Sequence, residues 1–386
     1  MWRRRTPLAR LNLLHSKPRL LAATGGVAFA AVLMFLETGF LNGMYDTETY
    51  IITQLNADLF ILNKDKQAVL PKLPFPRIRL VQARACFGVA AAYPLYLEER
   101  RGSWKNARDR RDYPLLVVAF NPHDPVFLIP EVTAHAKDLL LPDTALLDSR
   151  SRDFYGDIGA GSTGELSGHA LRIVGTFPLG PDLRVDGNLI VSERTFFKCF
   201  ANRSAGTTEA NKVELGLLKL APGAEPGDVR DRLVRALPDD VRVLTRQELI
   251  DQIKRYWGNT KPIGDVFGLG TVVGFLIGVT ICYQILYTGI VDRLPQYATL
   301  KAIGYSDRFL VKIVLQEALY LAVLGFLVGL ACSVGIYAAL QAASGMRMQL
   351  TVPRAAFLLA LTILMCALSA LIAVRKALRS DPAEIF

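Results

Sequence analysis

Four long apolar blocks stand out from a chain that elsewhere mixes short apolar and polar runs. They cover residues 20–41, 263–291, 309–340 and 355–374, and each holds few charged side chains. About 20 helical residues are needed to cross a hydrocarbon core of about 30 Å. The pattern therefore predicts four transmembrane helices, with a long segment, residues 42–262, between the first and the second.

The first apolar block is predicted to remain in the protein. A signal peptide has an apolar core of roughly 7–15 residues, followed by small residues at a cleavage site. The block at 20–41 is longer than such a core, and Asn42, Gly43, Met44 and Tyr45 follow it. We therefore interpret it as a retained membrane helix.

The segment 42–262 has the pattern of a folded α+β domain. Helices are expected at 78–86 and 228–237, and stalk helices that join the domain to the membrane at 45–55 and 246–256. Apolar runs typical of strands lie at 58–62, 115–120, 171–177, 188–192, 213–220 and 241–244. The predicted fold is an integral membrane α-helical protein with a large extracytoplasmic α+β domain.

Composition and charge exclude several classes of protein. Hydrophobic residues make up 51% of the 386, so the chain is not disordered, and five cysteines are too few for a disulfide scaffold. Of the net charge of +10, +9 lies in residues 1–19, 291–312 and 375–386, next to apolar blocks. A nucleic-acid-binding protein would spread its basic charge over a folded face, so no nucleic-acid partner is expected.

The same charges predict the topology. Segments rich in Lys and Arg next to membrane spans stay on the cytoplasmic side. The N-terminal segment 1–19, the loop 292–308 and the tail 375–386 are therefore expected in the cytoplasm, and the loop 341–354 outside. Residues 42–262 then also lie outside, which makes this a multi-pass plasma-membrane protein with both termini in the cytoplasm.

No catalytic, cofactor-binding or metal-binding residues are predicted. The chain lacks the P-loop motif G-x-x-x-x-G-K-[ST], the zinc motif H-E-x-x-H and the hydrolase motif G-x-S-x-G. The run at 159–164 matches G-x-G-x-x-G, but a dinucleotide site needs a strand before it and a helix after it. Here polar residues precede it and a strand-like run follows, which favours a flexible turn. The chain is therefore not expected to be an enzyme.

Two stripes of small residues recur at helical spacing in the second and third spans. One comprises Gly270, Gly274 and Gly278, and the other includes Gly325 and Gly329. Such stripes let helix backbones approach closely in lipid. They indicate either packing within one bundle or the contact between two copies in a homodimer, and the sequence does not separate the two.

Two acidic residues and two cysteines lie at positions that could have a specific role. Glu37 and Glu317 are near the predicted ends of spans, where solvation at the membrane interface accounts for them. Cys86 and Cys199 both lie outside, where a disulfide is permitted, and their pairing is left open.

The loop between the second and third spans predicts a short helix. Pro295 suits its first turn and Gly304 a left-handed cap after it. This helix would present Tyr297, Leu300 and Ile303, and such a helix suits docking into a groove of a partner, although a plain connecting loop is the alternative. The candidate coupling residues are Pro295, Gln296, Tyr297, Ala298, Thr299, Leu300, Lys301, Ala302, Ile303 and Gly304.

The order of elements and several motifs resemble one family of permeases. The matching runs are VAFNPHDPVFLIPE (118–131), LLDSRSRDFYG (146–156), IVGTFPLGPDLRVDGNLIVS (173–192), YQILYTGIVDRLPQYATLKAIGY (283–305) and DPAEIF (381–386). Together they resemble the FtsX/MacB-like permeases of type VII ABC systems, and more closely the DevC-type exporter permeases. One departure is Gln296, where the family often has an acid.

This resemblance implies partners and a mechanism. The chain would be a homodimer in membrane lipids, and a separate ABC ATPase subunit, which carries ATP and Mg, would dock partly through residues 295–304. A periplasmic membrane-fusion adaptor and a TolC-like outer-membrane channel would complete a tripartite exporter in a bacterial inner membrane. The cargo would be lipid-like, glycolipid-like or otherwise amphiphilic. The outer domain would combine a part built from both ends of the segment with an inserted lobe.

The resemblance leaves two other functions open. The permease could transmit ATP-driven motion to a cell-wall hydrolase without moving cargo, or it could release lipoproteins from the membrane. These functions differ in the partner outside the cell, because an exporter needs an adaptor and a channel whereas a mechanical transmitter needs a hydrolase.

Overall fold

The structure is a computed structural model that describes residues 17–69, 73–99, 101–106, 111–156, 159–182, 184–201, 211–260 and 263–379. The chain divides into two compact units. The membrane unit comprises Met1–Gly43, Ile263–Ala343 and Met348–Phe386, and the outer unit comprises Met44–Pro262 together with Ser344–Arg347. The predicted DPAEIF motif and most of the N-terminal basic segment lie outside the described residues.

The described α-helices come from both units and are numbered in chain order. They are α1 (Lys17–Thr53), α2 (Ile78–Arg84), α3 (Pro130–Ala134), α4 (Glu193–Cys199), α5 (Pro226–Ala236), α6 (Arg246–Arg255), α7 (Ile263–Val291), α8 (Leu294–Ala302), α9 (Asp307–Ser344) and α10 (Val352–Arg379). A π-helical turn, Tyr256–Thr260, follows α6, and short 3-10 turns lie at Asp138–Leu140 and Asp153–Tyr155.

Four of the described helices, α1, α7, α9 and α10, are long and apolar enough to cross a membrane. They contain 37, 29, 38 and 28 residues, more than the roughly 20 that a span requires. Helices α1, α9 and α10 continue beyond their predicted apolar blocks, whereas α7 has the same bounds as its block at 263–291. Helix α1 runs without a break through the stalk predicted at 45–55. A helix does not have to end where its hydropathy falls, because its backbone hydrogen bonds do not depend on lipid.

The interior of the membrane unit is built from small and flexible apolar side chains. Ala30 and Met34 of α1 are buried together with Met365, Cys366 and Ala370 of α10. Small residues let the helix backbones approach closely, which is the main source of attraction between helices in lipid.

The outer unit is organised around a large mixed sheet. Its described strands are β1 (Leu59–Asn63), β2 (Phe75–Pro76), β3 (Val89–Glu98), β4 (Ser103–Asn106), β5 (Asp112–Pro114), β6 (Leu116–Phe120), β7 (Thr144–Asp148), β8 (Thr163–Leu166), β9 (His169–Phe177), β10 (Asn188–Ser192), β11 (Lys212–Val213), β12 (Leu215–Leu220) and β13 (Val241–Thr245). Eleven of them follow the order β13-β1-β12-β3-β6-β10-β7-β9-β8-β4-β5, and β11 pairs separately with β2.

One half of this sheet is formed by strands from both ends of the outer segment. β1 lies between β12 and β13, and all these pairs are antiparallel. β3 pairs with β12 on one side and with β6 on the other, so it joins this half to the inserted half. The inserted half contains two parallel pairs, β6 with β10 and β7 with β9. The observed arrangement confirms the predicted fold class of four apolar helices and a large α+β domain.

The start of α6 is joined to the end of α1 by one arginine. The Arg246 guanidinium donates to the carbonyl oxygens of Ile52 at 2.9 Å and Ala57 at 2.7 Å. Thr245 and Glu248 form a capping box at the N-terminus of α6. Because the last carbonyls of a helix lack partners within it, the Arg246 cation stabilises the end of α1.

Candidate functional site

The connection between α7 and α9 is the segment with the most distinctive chemistry. It contains the predicted short helix, observed as α8, which is followed by Gly304 with φ of 101°. The Tyr305 backbone N–H donates to the Leu300 carbonyl at 3.1 Å, the bond expected when a left-handed glycine ends a helix.

A buried ion pair anchors this connection to α9. Arg293, just before α8, donates through Nη1 to Oε1 of Glu317 at 3.3 Å, and the two side chains are only 14% and 8% exposed. The expectation that Glu317 is solvated at the membrane interface is therefore wrong, because the carboxylate is enclosed and paired. A buried pair of this kind fixes a position, since removing one partner leaves an uncompensated charge.

Further charged contacts surround the same connection. Asp292 is ion-paired with Arg19 near the start of α1. Lys376 of α10 lies with its Nζ 5.7 and 5.2 Å from the ring centroids of Tyr283 and Tyr287 on α7. These contacts tie the ends of α1, α7, α9 and α10 together around the α8 connection.

The orientation of α8 differs from the prediction. Tyr297 is buried and Leu300 is half-buried against the interior of the membrane unit, so the helix does not present them outward. Burial, together with the charge of Glu317, raises the pKa of Tyr297 to about 12. Their apolar spacing serves packing within the chain, whereas Ile303 is 70% exposed as expected.

The outward side of α8 forms a small surface, which we call the α8 face. Its members are the exposed residues Pro295, Gln296, Ala298, Thr299, Ala302 and Ile303. The Lys301 side chain lies outside the described part. The α8 face combines small side chains with one large apolar group, Ile303, which suits contact with a protein groove.

The glycine stripes pack against helices of the same chain. A Cβ on Gly325 would lie 2.6 Å from Cβ of Val27, and one on Gly329 would lie 2.8 Å from Cβ of Ala31. Gly274 faces Leu33 and Met34 with ordinary spacing. Gly270 and Gly278 also face α1, at Glu37 and Ala30. Of the two interpretations left open by the sequence, packing within one bundle is therefore the one that these contacts favour.

The described part of the outer unit does not gather a metal centre. Among the described residues, no group of three or more His, Cys, Asp or Glu side chains could hold a metal ion. The turn at 159–162 leads into strand β8, so the geometry of a dinucleotide site does not form there. Cys86 and Cys199 are free thiols.

Sequence reasoning did not identify the residues that position α8. Arg293 and Glu317 are 24 positions apart, and only the path of the chain brings them together. A weak signal was present in Glu317 itself, because a carboxylate within an apolar block is costly unless it has a partner.

Comparison with known proteins shows similarity to membrane permeases. Residues 268–382 match the family model described as FtsX-like permease C-terminal. An uncharacterised ABC transporter permease of Mycobacterium tuberculosis is 26% identical over 381 residues, 96% of each chain. A second one from that organism is 24% identical over 308 residues, 79% of this chain and 77% of the other. The crystal structure of the periplasmic region of MacB from Actinobacillus actinomycetemcomitans aligns with 53% of this chain and 94% of its own, at 12% identity and a TM-score of 0.36.

The match at 268–382 covers most of α7 and all of α8, α9 and α10, the helices that carry the ion-paired connection. Full-length similarity to permeases extends the relationship to the outer unit. The DevC-type subtype stays a prediction. The four apolar helices and the match to the FtsX-like permease C-terminal family model indicate a membrane protein, and the chain is similar to ABC transporter permeases over nearly its whole length.

Proposed function

We propose that this chain is the membrane permease subunit of an ATP-binding cassette exporter, in which a separate ATPase subunit docks on the α8 face. One observation carries the proposal: α8 is held by the buried Arg293–Glu317 pair while Ile303 remains 70% exposed. A rigid helix with an exposed apolar anchor can pass a partner's movement to the helices that hold it, because little of that movement is absorbed by bending.

The rest of the assembly is proposed from the resemblance. Two copies of the chain form the permease in a bacterial inner membrane, with the N- and C-termini in the cytoplasm and the outer unit in the periplasm. A periplasmic membrane-fusion adaptor and a TolC-like channel receive an amphiphilic, lipid-like or glycolipid-like cargo. ATP and Mg bind the partner ATPase, and this chain needs no cofactor of its own. The two mycobacterial relatives carry the name ABC transporter permease, in agreement with such a partner.

The test is co-purification with a single altered side chain. The tagged chain is purified from its native membrane in mild detergent, and the accompanying proteins are identified by mass spectrometry. Ile303→Asp places a charge on the α8 face and should reduce the recovered ATPase about tenfold, the effect of losing roughly 1.4 kcal/mol of contact. Val234→Asp is the matched control, because Val234 is also an exposed apolar residue, 58% exposed, but lies in the outer unit.

The two variants separate docking from general damage. Equal ATPase recovery with wild type and Ile303→Asp would contradict docking on the α8 face. The same purification also separates the possible functions, because an adaptor among the recovered proteins supports export. An ATPase with a cell-wall hydrolase and no adaptor would instead support mechanical transmission.

A further inference from the structure

Four residues from the connection between α9 and α10 belong to the outer unit. They are Ser344–Arg347, which we call the 344–347 turn. Residues from much earlier in the chain contact this turn. Thr47 lies 300 positions before Arg347, and Leu179 lies 168 positions before it. Arg347 is 9% exposed, and an arginine is rarely so enclosed unless its charge is paired.

The Arg347 side chain bridges two separate parts of the outer unit. Its guanidinium carbon lies 3.3 Å from the ring centroid of Tyr50 in the outer end of α1. Its Nη2 donates to the Leu179 carbonyl at 2.8 Å, in the segment that follows β9. Its backbone N–H donates to the Thr47 hydroxyl at 3.1 Å. One residue therefore contacts α1 through both backbone and side chain and the segment 178–182 through its side chain.

The other end of the turn is held as well. Arg152 donates through Nη2 to the Ser344 carbonyl at 3.1 Å. Gly345 has φ of 74°, and a Cβ there would lie 2.7 Å from Cγ of Pro181. The turn therefore has a backbone conformation that favours glycine and a close contact that only glycine permits. Both features fix its path.

The cavity beside the turn is too small for cargo. It has a volume of about 30 Å³ and is lined by residues that include Tyr50, Gly180, Asp182 and Arg347. Such a space holds a water molecule or two, but not a lipid chain. The role of Arg347 therefore lies in its contacts with α1 and with the segment 178–182.

The charge of Arg347 is retained within this enclosed setting. Burial lowers its pKa from the ordinary value, and the Asp148 carboxylate counteracts that effect. Asp148 is itself held in place by the Gly180 N–H at 2.6 Å and by the Asn188 side-chain amide at 2.7 Å. An arginine keeps its proton under these conditions, so the turn carries a fixed positive charge.

We propose that Arg347 is a positioning residue that couples the α9–α10 connection to the outer unit. The 344–347 turn is the covalent link between two spans, and Arg347 fastens it to α1 and to the segment 178–182. Movement of α9 and α10 is then transmitted to the inserted half of the outer sheet through this contact. The inference rests on the proposed function, because it requires an ATP-driven movement to transmit.

The first experiment measures the fastening without any partner. Amide hydrogen exchange is followed in the full-length chain in lipid nanodiscs for wild type, Arg347→Gln, Arg347→Lys and Arg354→Gln. Arg354→Gln is the matched control, since it removes the same charge at the start of α10, where Arg354 donates to the Gln349 carbonyl. Loss of the stacked, charge-assisted contacts in Arg347→Gln should raise exchange about tenfold in residues 45–53 and 178–182 together.

Lysine provides the conservative comparison. It keeps the charge and can still donate to the Leu179 carbonyl, but it lacks the planar group that stacks on Tyr50. Arg347→Lys should therefore show an intermediate increase in exchange. Unchanged exchange in residues 45–53 and 178–182 of Arg347→Gln would overturn the proposal, whatever the behaviour of the ATPase.

The second experiment measures transmission in the complex with the co-purified ATPase. Exchange is compared between the nucleotide-free and the ATP–vanadate-trapped states. Wild type should respond both in α8 and in residues 178–182, whereas Arg347→Gln should keep the α8 response and lose the other. A response in 178–182 that survives Arg347→Gln overturns the coupling role alone. A wild-type complex that responds nowhere overturns the proposed function, and the coupling role with it.

Discussion

The glycine stripes allow a quantitative test of packing in the membrane unit. Gly325 and Gly274 both face α1, but with different clearance. A Cβ on Gly325 would lie 2.6 Å from Cβ of Val27 and 3.2 Å from the backbone nitrogen of Ala28. A Cβ on Gly274 would meet its nearest atoms, in Leu33 and Met34, at 3.5 Å, which is ordinary van der Waals contact. The same substitution by alanine should therefore have opposite effects at the two sites.

The expected magnitudes follow from two opposing terms. Overpacking costs about 1–3 kcal/mol, and Val27 cannot move away because a β-branched side chain has one preferred rotamer in a helix. Alanine recovers up to about 1 kcal/mol through its higher helix propensity. Gly325→Ala should therefore lose up to about 2 kcal/mol, whereas Gly274→Ala should gain up to about 1 kcal/mol.

Native cysteines provide the assay. Cys282 and Cys366 are buried in the membrane unit, so a thiol-reactive fluorophore reports when its helices separate during heating. At about 2–4 °C per kcal/mol, Gly325→Ala should melt up to about 8 °C below wild type, and Gly274→Ala at or slightly above it. Equal melting temperatures for the two variants would refute the packing argument, and concentration-dependent melting of Gly325→Ala alone would assign that stripe to the contact between two copies.

Two further predictions concern single groups. Glu317→Gln should destabilise the membrane unit by about 3–5 kcal/mol because it leaves the Arg293 cation buried without its partner, while the double variant Arg293→Met/Glu317→Met should recover most of that loss in the same thiol assay. Additive losses in the double variant would argue against direct pairing. Burial raises the pKa of the Cys199 thiol to about 11, and the nearby Asp143 carboxylate adds to the effect. Because the thiolate is the reactive form, Cys199 should resist maleimide at pH 7 while the half-buried Cys86 is labelled, as peptide mapping would show; labelling of both at equal rates would contradict it.

The long apolar blocks were sufficient to predict the spans, because burial in lipid imposes a composition that no other setting requires. Strand β6 was equally clear, since its LVVAF run is buried on both faces of the sheet.

The central strand β3 was not predicted. Its sequence VAAAYPLYLE is rich in alanine and contains Pro94, both of which argue against a strand. In the sheet Pro94 lies opposite Gly216, where the neighbouring Leu80 leaves no room for a side chain.

Only part of the candidate site could be predicted from the sequence, namely the helix and its cap but not the side that is buried. The helix and its glycine cap follow from local rules, because Pro295 and Gly304 act on their own backbone. Which side of a two-turn helix is buried depends on what lies beside it. The apolar spacing of Tyr297, Leu300 and Ile303 is the same for a helix that packs on its own chain and for one that binds a partner. Only the structure shows that Tyr297 is buried and that Ile303 is exposed.

The two arginines that carry the proposals share one physical property. Arg293 and Arg347 both lie in connections between spans, and both are largely enclosed. A connection that only had to join two helices could use flexible polar residues at no cost, whereas an enclosed charge costs several kcal/mol unless its partners are held in place. Each charge is therefore stable in one geometry of its connection, and any displacement must either break its contacts or move its partners as well. Under the two proposals such connections would transmit motion, and in this chain they lie on both sides of α9, one before its first residue and one after its last.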